Sequence, residues 1–390
     1  MKKSSKRKFW AFFYAKRRFF CIYAKFVVSL HTFYVCKQVK ERIAYWDVAR
    51  GLAMLLVIFY HVPLYIRICH PGAAELLAPH INAGTYILPF FMPVFFIIAG
   101  YFTNTAKNYG RFLWNDVKNL LLVGLLLSFV NVLIQTIGLQ DTSALKWFWD
   151  TLFSKRFLNV ILSNWFISAI FFARQIYYWT DRLTAKICKE QDWHYWTTEF
   201  VFLTAIAVAG ILIEPYACCN SRWFYCQGLV FAIFLAFGKL LHEYPVDKRW
   251  LFAAGGGYIV FMAVARMTGI STLEYGMINS SFTLAHWPFY MLLALSGSAL
   301  LIALAQLVNR FQPVEFIGRH TLVFYIPQGG ILLVTATLLG HWLMPDTPAA
   351  VWIYIGVMWV SALLGLGLLG WAQEGWQRMI DKLVQRQNKK

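Results

Sequence analysis

Long uncharged apolar runs, separated by short basic loops, set the pattern of this chain. Leu120 to Leu139 and Ala349 to Ala372 contain no Asp, Glu, Lys or Arg. Each is long enough to cross a hydrocarbon core of roughly 30 Å as a helix. Counting such runs predicts spans near residues 51–68, 84–102, 119–139, 160–179, 198–213, 223–241, 250–266, 286–308, 321–342 and 349–371, about ten in all. The expected fold class is all-α, a polytopic transmembrane helix bundle. No internal repeat, heptad pattern or low-complexity tract is visible. Inverted repeats and paired broken helices, the usual marks of secondary transporters, are not legible either.

Composition agrees: the chain is 59% hydrophobic and 14% charged, whereas soluble domains carry roughly 25% charged residues. No stretch between spans is long enough for a second domain. Residues 41–373 therefore read as one membrane domain, residues 1–40 as a basic aromatic extension and residues 374–390 as a basic tail. The net charge of +18 does not point to nucleic acid, because the basic residues fall in loops and tails rather than one patch. The partner they imply is the lipid bilayer. The positive-inside rule then places both termini and the 103–118 and 239–249 loops in the cytoplasm. The 69–83 and 267–284 loops face outward, in a bacterial inner membrane. Residues 1–40 lack an apolar core followed by a small-residue cleavage site, so no signal peptide is expected. They read as an interfacial basic helix, an extra marginal span near 19–36, or an extension of little function. Trp147, Trp149, Tyr177, Tyr178, Trp179 and Trp250 cluster near span ends and read as aromatic belts.

The seven cysteines show no zinc-type spacing, and no metal is expected. They read as buried thiols, with a disulfide among Cys218, Cys219 and Cys226 left open on the outer side.

The candidate chemistry lies in the first span. Asp47 and Arg50 are three apart and pair across one helical turn. Arg50 and His61 are separated by about three turns, so they share a face, roughly 16 Å apart along the axis. A polar ladder thus descends one side of an apolar helix, and such groups usually face the bundle interior. One reading is a guanidinium for an anionic ligand with an imidazole deeper in. The other is a snorkelling anchor and an interhelical hydrogen bond. Spacing alone leaves the two level. Arg174, Glu214, Arg222 and His286 are weaker candidates, more readily explained by structural pairing.

The Asp47-x-x-Arg50-Gly51 pattern followed by His61 resembles the acyltransferase 3 family of membrane acyltransferases. Pro89-Phe-Phe-Met-Pro93, running on to Gly100-Tyr101, resembles that family's second-span motif. Asn164-Trp165-Phe166 resembles its fourth-span segment, and Gly318 to Tyr325 its late element. The matches occur in family order from residue 41 to about 330, closest to the fucose 4-O-acetylase-like branch. Ala99 stands where the family often has Ser, Phe91 where that branch often has His, and Gln328 where the late motif usually ends in His. The resemblance implies an acyl-CoA donor substrate, commonly acetyl-CoA, and no bound cofactor. It also implies a glycan or lipid-linked saccharide acceptor.

On this basis Arg50, paired with Asp47, holds donor phosphate through its planar fork. His61 accepts the sugar hydroxyl's proton or relays the acyl group covalently. Tyr101, Asn104 and Arg319 are expected on the donor side. Trp165, Tyr325 and Gln328 are expected on the acceptor side, where Gln328 can hydrogen-bond but not act as a base. A transporter or flippase of lipid-linked sugar explains the spans and His61 equally well.

Overall fold

The computed structural model describes residues 43–153, 165–188, 192–217, 224–268, 284 and 286–387. The extension 1–40 lies outside the described residues, and so do Asn164, Cys218, Cys219 and Arg222. Among the described residues every regular element is a helix. In order these are α1 (Ala44–Cys69), a short 3-10 turn (Pro71–Ala73), α2 (Ala74–Gly84), α3 (Leu88–Phe91) and α4 (Pro93–Tyr101). Then come α5 (Tyr109–Asp116), a π turn (Val117–Leu122), α6 (Val123–Leu139), α7 (Ser143–Leu152), α8 (Trp165–Ile187) and α9 (Trp193–Ala217). They are followed by α10 (Tyr225–Glu243), α11 (Lys248–Met267), α12 (Trp287–Val308) and α13 (Gln312–Arg319). The last are α14 (Thr321–Tyr325), α15 (Gln328–Gly340) and α16 (Pro348–Gln387). Ala44–Gly367 forms one compact unit, and the expected basic tail continues α16 as helix to Gln387.

Among the described residues, eight helical stretches are long and apolar enough to cross a membrane: α1, α5 through α6, α9, α10, α11, α12, α14 with α15, and α16. A further segment is bent by 52°, between Pro71–Gly84 and Leu88–Tyr101. The span expected at 84–102 corresponds to α3 and α4, and the bend falls at its start, where the segment expected as the 69–83 loop is largely helical. Pro89 and Pro93 sit in the first turns of α3 and α4, where the missing N–H is harmless. A second break falls at Pro327, between α14 and α15. Counting apolar residues treats both segments as continuous, which is why these interruptions were not legible in the sequence.

The span expected at 160–179 is α8, shifted toward its C-terminal side, with residues 160–164 outside the described set. Arg174, Asp181, Arg182 and Lys186 keep α8 out of the eight long apolar stretches. Its neighbours show that it runs the full length of the bundle. Gly228, near the start of α10, lies against Ala169 and Phe172 of α8, while Lys239 near the end of α10 pairs with Asp181 at 2.8 Å. The Tyr195 hydroxyl of α9 donates to the same Asp181 carboxylate. At the other end of α9, Gly210 meets Leu229 of α10. Helices α8, α9 and α10 therefore alternate in direction, with α8 parallel to α10.

The apolar side chains divide as a bilayer requires. Val57, Phe231, Phe234 and Leu293 are wholly buried, whereas Ile259, Val201 and Leu364 face outward from the middle of their helices. An outward-facing apolar side chain at mid-helix is stable against lipid tails. Trp147, Trp149, Trp179 and Trp250 are exposed near helix ends, as belts should be. Tyr177 and Tyr178 are a correction: both are buried, and the Tyr178 hydroxyl donates to the Lys107 carbonyl at 2.8 Å. They tie α8 into the bundle instead of facing lipid headgroups.

Candidate active site

Helix α1 packs against α2, α3, α4, α12, α13, α14 and α15, so its faces are almost all turned to protein. Asp47 lies in its first turn, where a carboxylate complements the positive end of the helix dipole. Arg50 Nη1 donates to Asp47 Oδ1 at 3.0 Å, with Asp47 buried and Arg50 partly accessible. The pair is braced by α13, whose backbone comes so close that two glycines are required. A Cβ on Gly51 would lie 2.1 Å from the Val314 carbonyl oxygen, and one on Gly318 would lie 1.8 Å from that of Asp47. The late motif's glycine thus has a physical reason: it lets α13 rest on the turn that carries Asp47 and Arg50.

Aromatic rings complete this end. Arg50 stands over Phe102 at 5.1 Å, Trp46 packs on Tyr101 at 4.5 Å, and Tyr101 meets His242 of α10 at 5.0 Å. The structure therefore gathers Asp47, Arg50 and Tyr101, with Arg319 exposed beside Gly318. Asn104 is exposed in the following loop, where its Oδ1 accepts from the Ala106 N–H at 3.0 Å and caps a local turn.

His61 lies about three turns further along α1 and is half-buried. Its Nδ1 is 2.7 Å from the Val57 carbonyl oxygen. A carbonyl only accepts, so Nδ1 carries the proton, and in the neutral ring Nε2 holds the lone pair. The backbone of α1 thus fixes both the ring and its tautomer. One turn beyond, Tyr65 stands on the same face, its hydroxyl 2.6 Å from where a Cβ on Gly329 would sit. Asn131 of α6 accepts from the Gly330 N–H at 2.7 Å. It thereby caps α15 from a neighbouring helix, because the preceding Pro327 offers no side-chain cap.

The residues expected on the acceptor side converge in part. Trp165 begins α8 and is buried, and the next ring, Phe166, packs on Tyr325 at 5.1 Å. Gln328 begins α15 with 4% of its surface exposed, and its Oε1 has no hydrogen-bond partner among the described residues. Arg174 does not join them. Its Nε lies 3.1 and 3.0 Å from the two Asp116 oxygens, and Nη1 donates to Thr103 Oγ1 at 2.7 Å. Gln175 Nε2 adds a bond to Asp116 Oδ2 at 2.8 Å. This is a structural network joining α8 to α5 and to the loop after α4.

Tyr65 and Asn131 were missed from sequence. Tyr65 follows His61 by one turn, so the spacing that picked out Arg50 and His61 would have found it. Asn131 is a polar side chain inside the uncharged 120–139 run. His242 gave no signal, because its contact with Tyr101 joins distant segments. An open groove of about 940 Å³ between α9 and α10, lined by Trp193, Trp196, Phe200 and Leu240 among others, includes none of these site residues. Its apolar walls on two spanning helices suit lipid tails.

A family model for an acyltransferase domain matches residues 43–366, which takes in α1 and almost all of the compact unit. No curated protein and no solved structure matches the chain.

Proposed function

We propose, from the premise that this multi-pass membrane protein belongs to the acyltransferase 3 family, that it is an O-acyltransferase of the bacterial inner membrane. It moves an acyl group, acetyl in the first instance, from cytoplasmic acyl-CoA to a sugar hydroxyl of a surface or lipid-linked glycan. The observation that carries this reading is the single face of α1. It presents the Asp47–Arg50 pair at one end and His61 with an available Nε2 in its middle.

Arg50 binds donor phosphate, with its 3.0 Å bond to Asp47 orienting the guanidinium. Charge-assisted bonds of this kind are the strong ones. His61 Nε2 takes the proton from the acceptor hydroxyl as its oxygen attacks the thioester carbonyl carbon. The carbon–sulfur bond then breaks, and the leaving thiolate takes up that proton. Orienting the ring by a backbone hydrogen bond at Nδ1 makes Nε2 the reacting nitrogen in this step and in a covalent relay alike.

Detergent-purified variants, assayed for acetyl-CoA binding beside acetate counts on the host glycan, test the assignment. Arg50→Lys keeps the charge and loses the fork, so donor binding is expected to weaken by about 1.5–3 kcal/mol. His61→Ala is expected to bind donor and lose turnover by about 10²–10⁴. His61→Gln should not restore it, since an amide has no useful basicity. Transfer by His61→Gln at the parent rate would make His61 a structural residue and end its catalytic assignment.

The second reading is a flippase or transporter of lipid-linked sugar. The bend around Thr85–Ile87 favours it, because interrupted helices build substrate sites in many transporters. Deleting the gene separates the two. A glycan that is present but lacks acetate supports the enzyme, and a glycan missing from the surface supports transport.

A further inference from the structure

We infer that Tyr65, seated against the bare backbone of Gly329, forms the subsite that holds a sugar hydroxyl of the acceptor beside His61. This rests on the acyltransferase reading and says where its second substrate binds. Tyr65 follows His61 by one turn of α1, about 6 Å along the axis, on the same face. Both side chains are half-buried, as are Gly329 and Asn131, while the flanking residues Val62, Ile66 and Gln328 are buried.

The Tyr65 hydroxyl has no hydrogen-bond partner among the described residues. It rests against α15 at the place where a side chain is missing: a Cβ at Gly329 would lie 2.6 Å from it. Asn131 holds this first turn of α15 in place through Gly330 N–H at 2.7 Å. Next to it, the Gln328 Oε1 is buried and unpartnered among the described residues. The partly accessible Tyr65 hydroxyl both gives and accepts hydrogen bonds, which suits a polyol, whose hydroxyls do the same. It does not suit an alkyl chain, which would leave that hydroxyl unpaired. The spacing also fits the chemistry. A sugar gripped at Tyr65 presents a neighbouring hydroxyl to His61 Nε2 within one helical turn.

The test uses the full-length protein in detergent, radiolabelled acetyl-CoA at saturation, and a lipid-linked saccharide extract of the host membrane titrated as acceptor. Tyr65→Phe keeps the ring and removes only the hydroxyl. It is expected to raise the half-saturating acceptor concentration about three- to tenfold, the worth of one neutral hydrogen bond, with acetyl-CoA binding unchanged. Gly329→Ala leaves Tyr65 in place but displaces its hydroxyl, and is expected to shift acceptor dependence in the same direction. Tyr65→Phe alone decides the matter if the alanine variant does not fold. An acceptor dependence for Tyr65→Phe within about twofold of the parent, while His61→Ala is inactive, overturns the subsite and leaves the acyltransferase standing. Absence of any acetyl transfer by the parent protein overturns the acyltransferase reading itself, and the subsite with it.

Discussion

Gln328 carries a buried amide oxygen with no hydrogen-bond partner among the described residues, a feature that costs a fold roughly 1–3 kcal/mol. Removing such a group without changing volume much is neutral or stabilising in structural terms. Gln328→Leu is therefore expected to melt at or above the parent temperature in detergent and yet to lose acceptor use, with donor binding kept. Gln328→His, which restores the residue the family usually has there, should be tolerated in both respects. A leucine variant as active as the parent would remove Gln328 from the site. Stability and activity moving apart is the useful outcome, because a purely structural glutamine would move them together.

At the scale of elements, the contact between α1 and α13 is the one on which the donor end depends. A methyl at Gly318 would lie 1.8 Å from the Asp47 carbonyl oxygen, which is backbone and cannot swing aside. Gly318→Ala must part the two helices, at a cost of about 1–3 kcal/mol as for other overpacked sites. It should lower acetyl-CoA binding as the Asp47–Arg50 turn loses its brace. Gly356→Ala, on α16 with nothing within 4 Å of the added carbon, is the matched control and should behave as the parent. Thermal melts in detergent and acetyl-CoA titrations read both effects. The positions of most helices were legible, because uncharged runs of this length have few alternatives in a bilayer. The ladder from Arg50 to His61 was legible because helical spacing is local. What stayed hidden is whatever joins distant parts of the chain: the backbone contact of Gly51 with Val314, the cap that Asn131 places on α15, and the interrupted spans. An apolar count reads through a proline as though the helix continued.

For the whole molecule, α8 was located by its apolar core, yet it crosses the bundle only because its charges are matched. Arg174 near its middle is neutralised by Asp116 at 3.0 Å, and Asp181 near its end by Lys239 at 2.8 Å. An arginine at the centre of a lone span costs about 2.5–3.5 kcal/mol during insertion. In each pair the carboxylate and its partner belong to different helices, and the acidic member is made first by the ribosome. The ion pairs therefore record an order of biogenesis. Helix α8 is expected to integrate efficiently only with the α5–α6 segment beside it. An insertion reporter fused after residue 188 should show poor integration of α8 alone and efficient integration when residues 103–188 are present. Asp116→Ala should bring the longer fusion back toward the level of the lone helix. Equal integration of all three would mean that α8 enters the bilayer without help and meets Asp116 only afterwards.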